Sequence, residues 1–93
     1  MPAVKKGVEI KITGLVQGVL FRQEAKRIAQ GLELTGWVKN ESDGTVLVTA
    51  EGEESSLQKL TEWCRKGTKW SRVDTVAAEW KEPRNEFDEF SIK

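Results

Sequence analysis

The segment Val8-Glu9-Ile10-Lys11-Ile12-Thr13 alternates apolar and polar residues, the pattern of a strand with one buried face, and it runs into Gly14. From Arg22 the period changes. Ala25, Ile28, Ala29 and Leu32 fall at i, i+3, i+4 and i+7, which lines one face of a helix, and Gly31 with the Thr35-Gly36 pair is expected to close it. Gly36 to Asn40 reads as a second strand and Thr45 to Ala50 as a third. Between them stands Glu41-Ser42-Asp43-Gly44, whose Asp-Gly step is a strong hairpin signal. Ser55 or Ser56 is placed to cap a second helix that runs to about Lys66, with Leu57, Leu60 and Cys64 facing inward and Trp63 at the edge of the stripe. After Gly67-Thr68-Lys69, a strand from Arg72 to Lys81 carries Val73, Val76, Ala78 and Trp80. Pro83 stops it, and Phe87 to Ile92 adds a short final strand.

The order βαββαβ plus a terminal strand predicts an α+β fold of ferredoxin-like type: an antiparallel sheet with two helices on one face and a short C-terminal extra strand. The length of 93 residues supports a single domain over 1–93, with residues 1–7 expected to be a flexible N-terminus. A site must then lie on the surface of one unit, expected to be a monomer. Lysine plus arginine equals aspartate plus glutamate at 15 each, so no global field draws in a polyanion, and nucleic acid is not an expected partner. Apolar stretches reach only strand length and no apolar run follows the N-terminal lysines, so no membrane contact is expected and the chain reads as cytoplasmic. An RNA-binding sheet of this type would want aromatics on its central strands, and neither Val8 to Ile12 nor Val46 to Val48 has any.

Cysteine and histidine usage removes further classes. With no histidine there is no imidazole base, no serine triad and no phosphohistidine; a lone Cys64 makes no internal disulfide and no two-cysteine metal carrier. Cys64 sits in a helical apolar stripe and reads as core. Trp37 and Trp80, at strand positions, read as core or sheet-face residues rather than stacking platforms. No carboxylate cluster has metal-ligand spacing, so neither metal nor cofactor is expected.

The stretch Gly14-Leu15-Val16-Gln17-Gly18-Val19-Leu20-Phe21-Arg22 joins a strand directly to a helix. Such a loop can turn successive amides toward one spot at the positive end of the helix dipole, where an anion binds. Arg22 in the first helical turn is disfavoured by about 0.3–1 kcal/mol unless something compensates for it, and a phosphate would. Spacing alone leaves two alternatives open: glycines serving turn geometry with Arg22 paired to Glu24, and Asn40 acting only as a turn-former.

This stretch resembles the acylphosphatase signature G-x-V-Q-G-V-x-F-R. Gly36-Trp37-Val38-Lys39-Asn40-Glu41-Ser42-Asp43-Gly44-Thr45-Val46 resembles the second signature of that family, G-W-V-x-N-x-x-D-G-x-V. The likeness extends more loosely through Val73-Asp74 to Phe90-Ser91-Ile92. It implies the ferredoxin-like fold and hydrolysis of the carboxyl–phosphate anhydride of acyl phosphates. Arg22 and Asn40 match the family's catalytic positions, and Leu15, Val16, Gln17, Gly18, Val19, Leu20 and Phe21 its phosphate-binding loop. The implied partners are a small acyl phosphate and inorganic phosphate as product and inhibitor. Three positions depart from the family pattern: Leu15 where many members are basic or polar, Ala25 where threonine is common, and Thr68 where a proline usually follows the glycine. A rival expectation is a non-catalytic anion-binding module, such as the acylphosphatase-like domains of larger maturation proteins.

Overall fold

Alternation along the strands becomes a sheet with one covered and one open face. The computed structural model describes residues 4–93. Among them the elements run β1 (Lys5–Leu15), α1 (Phe21–Gly31), β2 (Thr35–Asn40), β3 (Val46–Glu53), α2 (Glu54–Lys66), β4 (Arg72–Lys81) and β5 (Phe90–Ile92). The sheet order is β4-β1-β3-β2-β5. Val8, Ile10 and Ile12 of β1 and Val46, Val48 and Ala50 of β3 turn to the helices and are buried, as are Phe21, Ala25 and Ala29 of α1 and Leu57, Leu60 and Cys64 of α2. Buried Thr61 joins that stripe with its hydroxyl satisfied, donating to the Leu57 carbonyl at 2.9 Å. No helix of the described residues is long and apolar enough to cross a membrane.

The fold class is the expected one, and the details that differ have local causes. β3 reaches Glu53 rather than Ala50 and so gives Lys5, Lys6 and Gly7 partners in Glu53, Gly52 and Glu51. Of the seven residues expected to form a loose N-terminus, Lys5–Gly7 are therefore strand, and residues 1–3 lie outside the described residues. Neither Ser55 nor Ser56 caps α2: its N-cap is Glu53, without a side-chain bond, and the Glu54 amide donates to the Val4 carbonyl instead. Gly31 is the last residue of α1, while the left-handed turn beyond it falls to Glu33, with φ 59°. Gly36 has another task. A Cβ there would lie 1.9 Å from the Thr49 carbonyl oxygen, so it lets β2 approach β3.

The final strand is shorter than expected and pairs parallel to β2, which makes the sheet mixed. The chain between β4 and β5 is tied to the open sheet face by buried Glu51, whose carboxylate accepts the amides of Arg84 and Asn85 at 2.7 and 3.0 Å. Trp37 and Trp80 are both sheet-face residues. Trp37 is half-buried with Lys39 and Lys93 over its ring, and Trp80 is exposed.

Candidate active site

The C-terminal ends of β1 and β2 and the N-terminal ends of β3, β4 and α1 meet at one end of the molecule. β1 ends in a register shift between Thr13 and Gly14, where a side chain would strike the Arg72 carbonyl oxygen at 2.1 Å. The chain then leaves the sheet, buries Val16 as an anchor, turns through Gly18 at φ 74° and enters α1 from Leu20 at φ 64°. Among the described residues, the amides of Val16, Gln17, Gly18, Val19 and Leu20 donate no hydrogen bond, and no side chain caps α1. Five successive donors and the open amides of a helix start thus stand free at one place.

Two cross-ties hold this loop, and neither was foreseen from the sequence. The side chain of Gln17 as well as its amide serves the loop: its Nε2 donates to the carbonyls of Glu41 at 2.7 Å and Thr45 at 2.9 Å, joining loop to hairpin. Thr68, one of the departures from the family pattern, donates its hydroxyl to the Val19 carbonyl at 2.8 Å. Both ties join residues distant along the chain, so no local pattern announces them.

Arg22 lies half-buried in the first turn of α1. The surface pair considered for it does not form, because Glu24 binds Arg27 at 2.8 Å, and among the described residues no ion pair includes Arg22. Asn40 is the last residue of β2, opposite Val46. Its Oδ1 is shielded from solvent and has no hydrogen-bond partner among the described residues. A shielded amide oxygen without a partner costs about 1–3 kcal/mol, so the fold carries this acceptor unused. Asp43 does the turn-forming instead. Its Oδ1 accepts the Thr45 amide at 3.1 Å and hydroxyl at 2.6 Å, and Lys11 lies 3.3 Å away on the open face. The Thr45 bonds, helped by Lys11, hold the Asp43 carboxyl down at about 2. Its charge is thereby engaged with Thr45 and Lys11.

Leu15, last in β1 and level with Arg72, and Leu20 are about half exposed, while Ala25 is buried in α1. Cys64 is buried, and desolvation pushes its thiol up to about 12. Among the described residues no three histidine, cysteine, aspartate or glutamate side chains gather where they could hold a metal. A groove of about 360 Å³ on the open sheet face, bordered by Trp37, Glu51 and Phe87, includes neither Arg22 nor Asn40. The unused amides of the loop, rather than this groove, offer donors to an anion.

The acylphosphatase family model matches residues 8–92. The chain belongs to the acylphosphatase family. Acylphosphatase from Salinibacter ruber is 43% identical over 89 residues, covering 96% of this chain and 94% of that one. Among solved structures, acylphosphatase from Bacillus subtilis superposes with a TM-score of 0.91 at 35% identity, covering 95% of this chain and 98% of that one. Full-length HypF, in a phosphate- and nucleotide-bound form, contains the same fold with a TM-score of 0.90 and 30% identity, but the match covers 12% of that protein. The fold thus also serves as one part of a larger protein, while the acylphosphatases match this chain nearly end to end. Membership of the acylphosphatase family makes the chain an enzyme of that hydrolase class.

Proposed function

We propose that the chain hydrolyses acyl phosphates to a carboxylate and inorganic phosphate, with Arg22 and the amides of Leu15 to Phe21 holding the phosphate and Asn40 holding the water. The observation that carries this reading is the shielded, unpartnered Asn40 Oδ1 beside a row of unused amides. An acceptor and a set of donors left open at the same place match a water and a phosphate. Equatorial phosphate oxygens take hydrogen bonds from the loop amides and the paired N–H groups of the Arg22 guanidinium, which stabilises the charge of a loose transition state. Asn40 Oδ1 accepts a hydrogen bond from the water and turns its lone pair to phosphorus. The new P–O bond forms as the bond to the acyl oxygen breaks. The carboxylate leaves unprotonated, because its conjugate acid has a pKa of about 4, and the water's proton passes to a phosphate oxygen. No histidine is needed. With Asp43 engaged by Thr45 and Lys11, its charge is not left free to oppose a dianion.

Asn40→Asp tests this directly. It keeps the shape and the turn tendency but places a negative charge beside the phosphate. A fall in kcat of roughly 100-fold to 1000-fold is expected, with the native circular dichroism retained. A stable variant with normal turnover would refute the role. Inorganic phosphate is expected to compete with substrate, and size-exclusion chromatography to show a monomer; the reading of a cytoplasmic enzyme is checked by fractionating cells.

A further inference from the structure

We infer that Thr68 is a positioning residue for the phosphate loop: its hydroxyl holds the Val19–Leu20 peptide so that the Leu20 amide is presented to the phosphate. This rests on the assignment of the loop amides above. In a trans peptide the carbonyl oxygen and the amide hydrogen point to opposite sides of the chain, and no peptide bond of the described residues is cis. Thr68 Oγ1 donates to the Val19 carbonyl at 2.8 Å. The Leu20 N–H of the same peptide is thereby turned away from Thr68. Among the described residues it donates to nothing, and it is one of the five unused donors of the loop.

This peptide is one that has to be held. Leu20 stands at φ 64° and ψ 17°, a left-handed conformation that a bulky residue keeps only where its surroundings fix it. Its side chain is about half exposed, so packing contributes little, and the carbonyls on either side do the fixing. The Leu20 carbonyl accepts the Glu24 amide at 3.1 Å as α1 begins, and the Val19 carbonyl accepts Thr68. Thr68 is itself anchored. Its carbonyl accepts the amide of Ser71 at 3.1 Å and the hydroxyl at 2.8 Å, and Gly67 before it closes α2 at φ 69°, its amide donating to the Trp63 carbonyl at 2.7 Å. A Cβ at Gly67 would lie 2.3 Å from the Ser71 hydroxyl oxygen and 3.3 Å from the Phe21 ring, so this turn packs directly on the start of α1. Val16 and Gln17 hold the first half of the loop, and the end of α2 holds the second half through Thr68. Donors that act by being aimed lose effect when misaimed, although no charge is removed. Proline, the usual family residue here, has no hydroxyl, so this tie depends on the threonine.

The test sets Thr68→Val, which keeps the shape without the hydroxyl, beside Thr68→Ser, which keeps the hydroxyl. Three quantities are measured for each: the inhibition constant of inorganic phosphate, kcat and KM for benzoyl phosphate, and the Leu20 amide resonance during a phosphate titration followed by NMR. Thr68→Val is expected to weaken phosphate inhibition and to lower kcat by roughly tenfold each, with the native circular dichroism retained and the Leu20 response to phosphate reduced. Thr68→Ser is expected to stay close to the wild type in all three. Should the valine variant not fold, Thr68→Ala, which also lacks the hydroxyl, is read in its place. A bond that serves only the fold would lower the urea midpoint and leave kcat and phosphate inhibition of the folded enzyme unchanged; that result overturns the inference. So does a serine variant as impaired as the valine one, or a wild-type Leu20 resonance that stays still while those of neighbouring loop amides move. A wild type that neither hydrolyses benzoyl phosphate nor shifts any loop amide with phosphate overturns the underlying reading, and the role of Thr68 with it.

Discussion

Arg22 and Asn40 share one property at the scale of single residues: each holds polar capacity that the fold leaves unused. For Arg22 this makes planar geometry decisive, since a guanidinium offers paired donors and an ammonium does not. Arg22→Lys is accordingly expected to lose most turnover, roughly 100-fold, at unchanged stability; near-normal kcat and KM would reduce Arg22 to a surface cation. Two glycines of the same loop should behave differently from each other. Gly14→Ala drives a methyl group into the Arg72 carbonyl at 2.1 Å with φ at 129°, so it is expected to cost at least about 2 kcal/mol in a urea titration. Gly18→Ala meets nothing within 4 Å. It should cost only about 1 kcal/mol of left-handed strain, while weakening inhibition by phosphate because the methyl group borders the unused loop amides.

Among the elements, the hairpin and the loop act as one piece through Gln17. Gln17→Glu would set a carboxylate against the carbonyls of Glu41 and Thr45, a loss of about 2–3 kcal/mol. The urea midpoint should recover partly in mild acid, where a protonated carboxyl can donate; an equal loss at both pH values would show that the tie is not a hydrogen bond. Asp43 shows the opposite dependence. Its pKa is lowered from 3.8 to about 2, chiefly by the Thr45 bonds, so its contribution is fully present above about 3.8 and is lost as pH falls toward 2. Asp43→Asn keeps an acceptor for Thr45 but has no such titration. Its urea midpoint should therefore decline less than that of the wild type over this window.

Across the whole molecule, the core sets what the single thiol can do. Cys64 is pushed from 9.0 up to about 12 by burial, so the folded thiol stays neutral where the unfolded one ionises. Stability linked to it is complete below about 9 and is lost as pH rises toward 12. Iodoacetamide at about pH 8 should leave the native protein unmodified and label it in urea; rapid native labelling would contradict the burial. Turnover should persist in EDTA, since among the described residues no donor set gathers for a metal. Loss of activity with the fold intact by circular dichroism would sink the metal-free scheme.

The sequence by itself determined the features that local periodicity and local steric needs encode. Val8, Ile10 and Ile12 at spacing two, Ala25 and Ala29 at spacing four, and Asp43-Gly44 at a turn each depend on neighbours a few residues away. They therefore yielded the strands, helices, hairpin and layer order, and the two signatures carried the family. What only the tertiary structure decided depends on pairs far apart in the chain. Gly36 reads locally as a helix stop, and its use, admitting the Thr49 carbonyl, appears only when β2 lies on β3. β5 runs parallel to β2, and the chain that reaches it is held by Glu51 at Arg84 and Asn85, a bond spanning 33 residues to Arg84. Thr68 departs from the family pattern, but its bond to Val19 spans 49 residues and exists only once α2 has brought it to the loop. The freedom of the loop amides and the orphaned oxygen of Asn40 are likewise facts of packing: a donor or acceptor is unused only after every other group in the chain has taken its place.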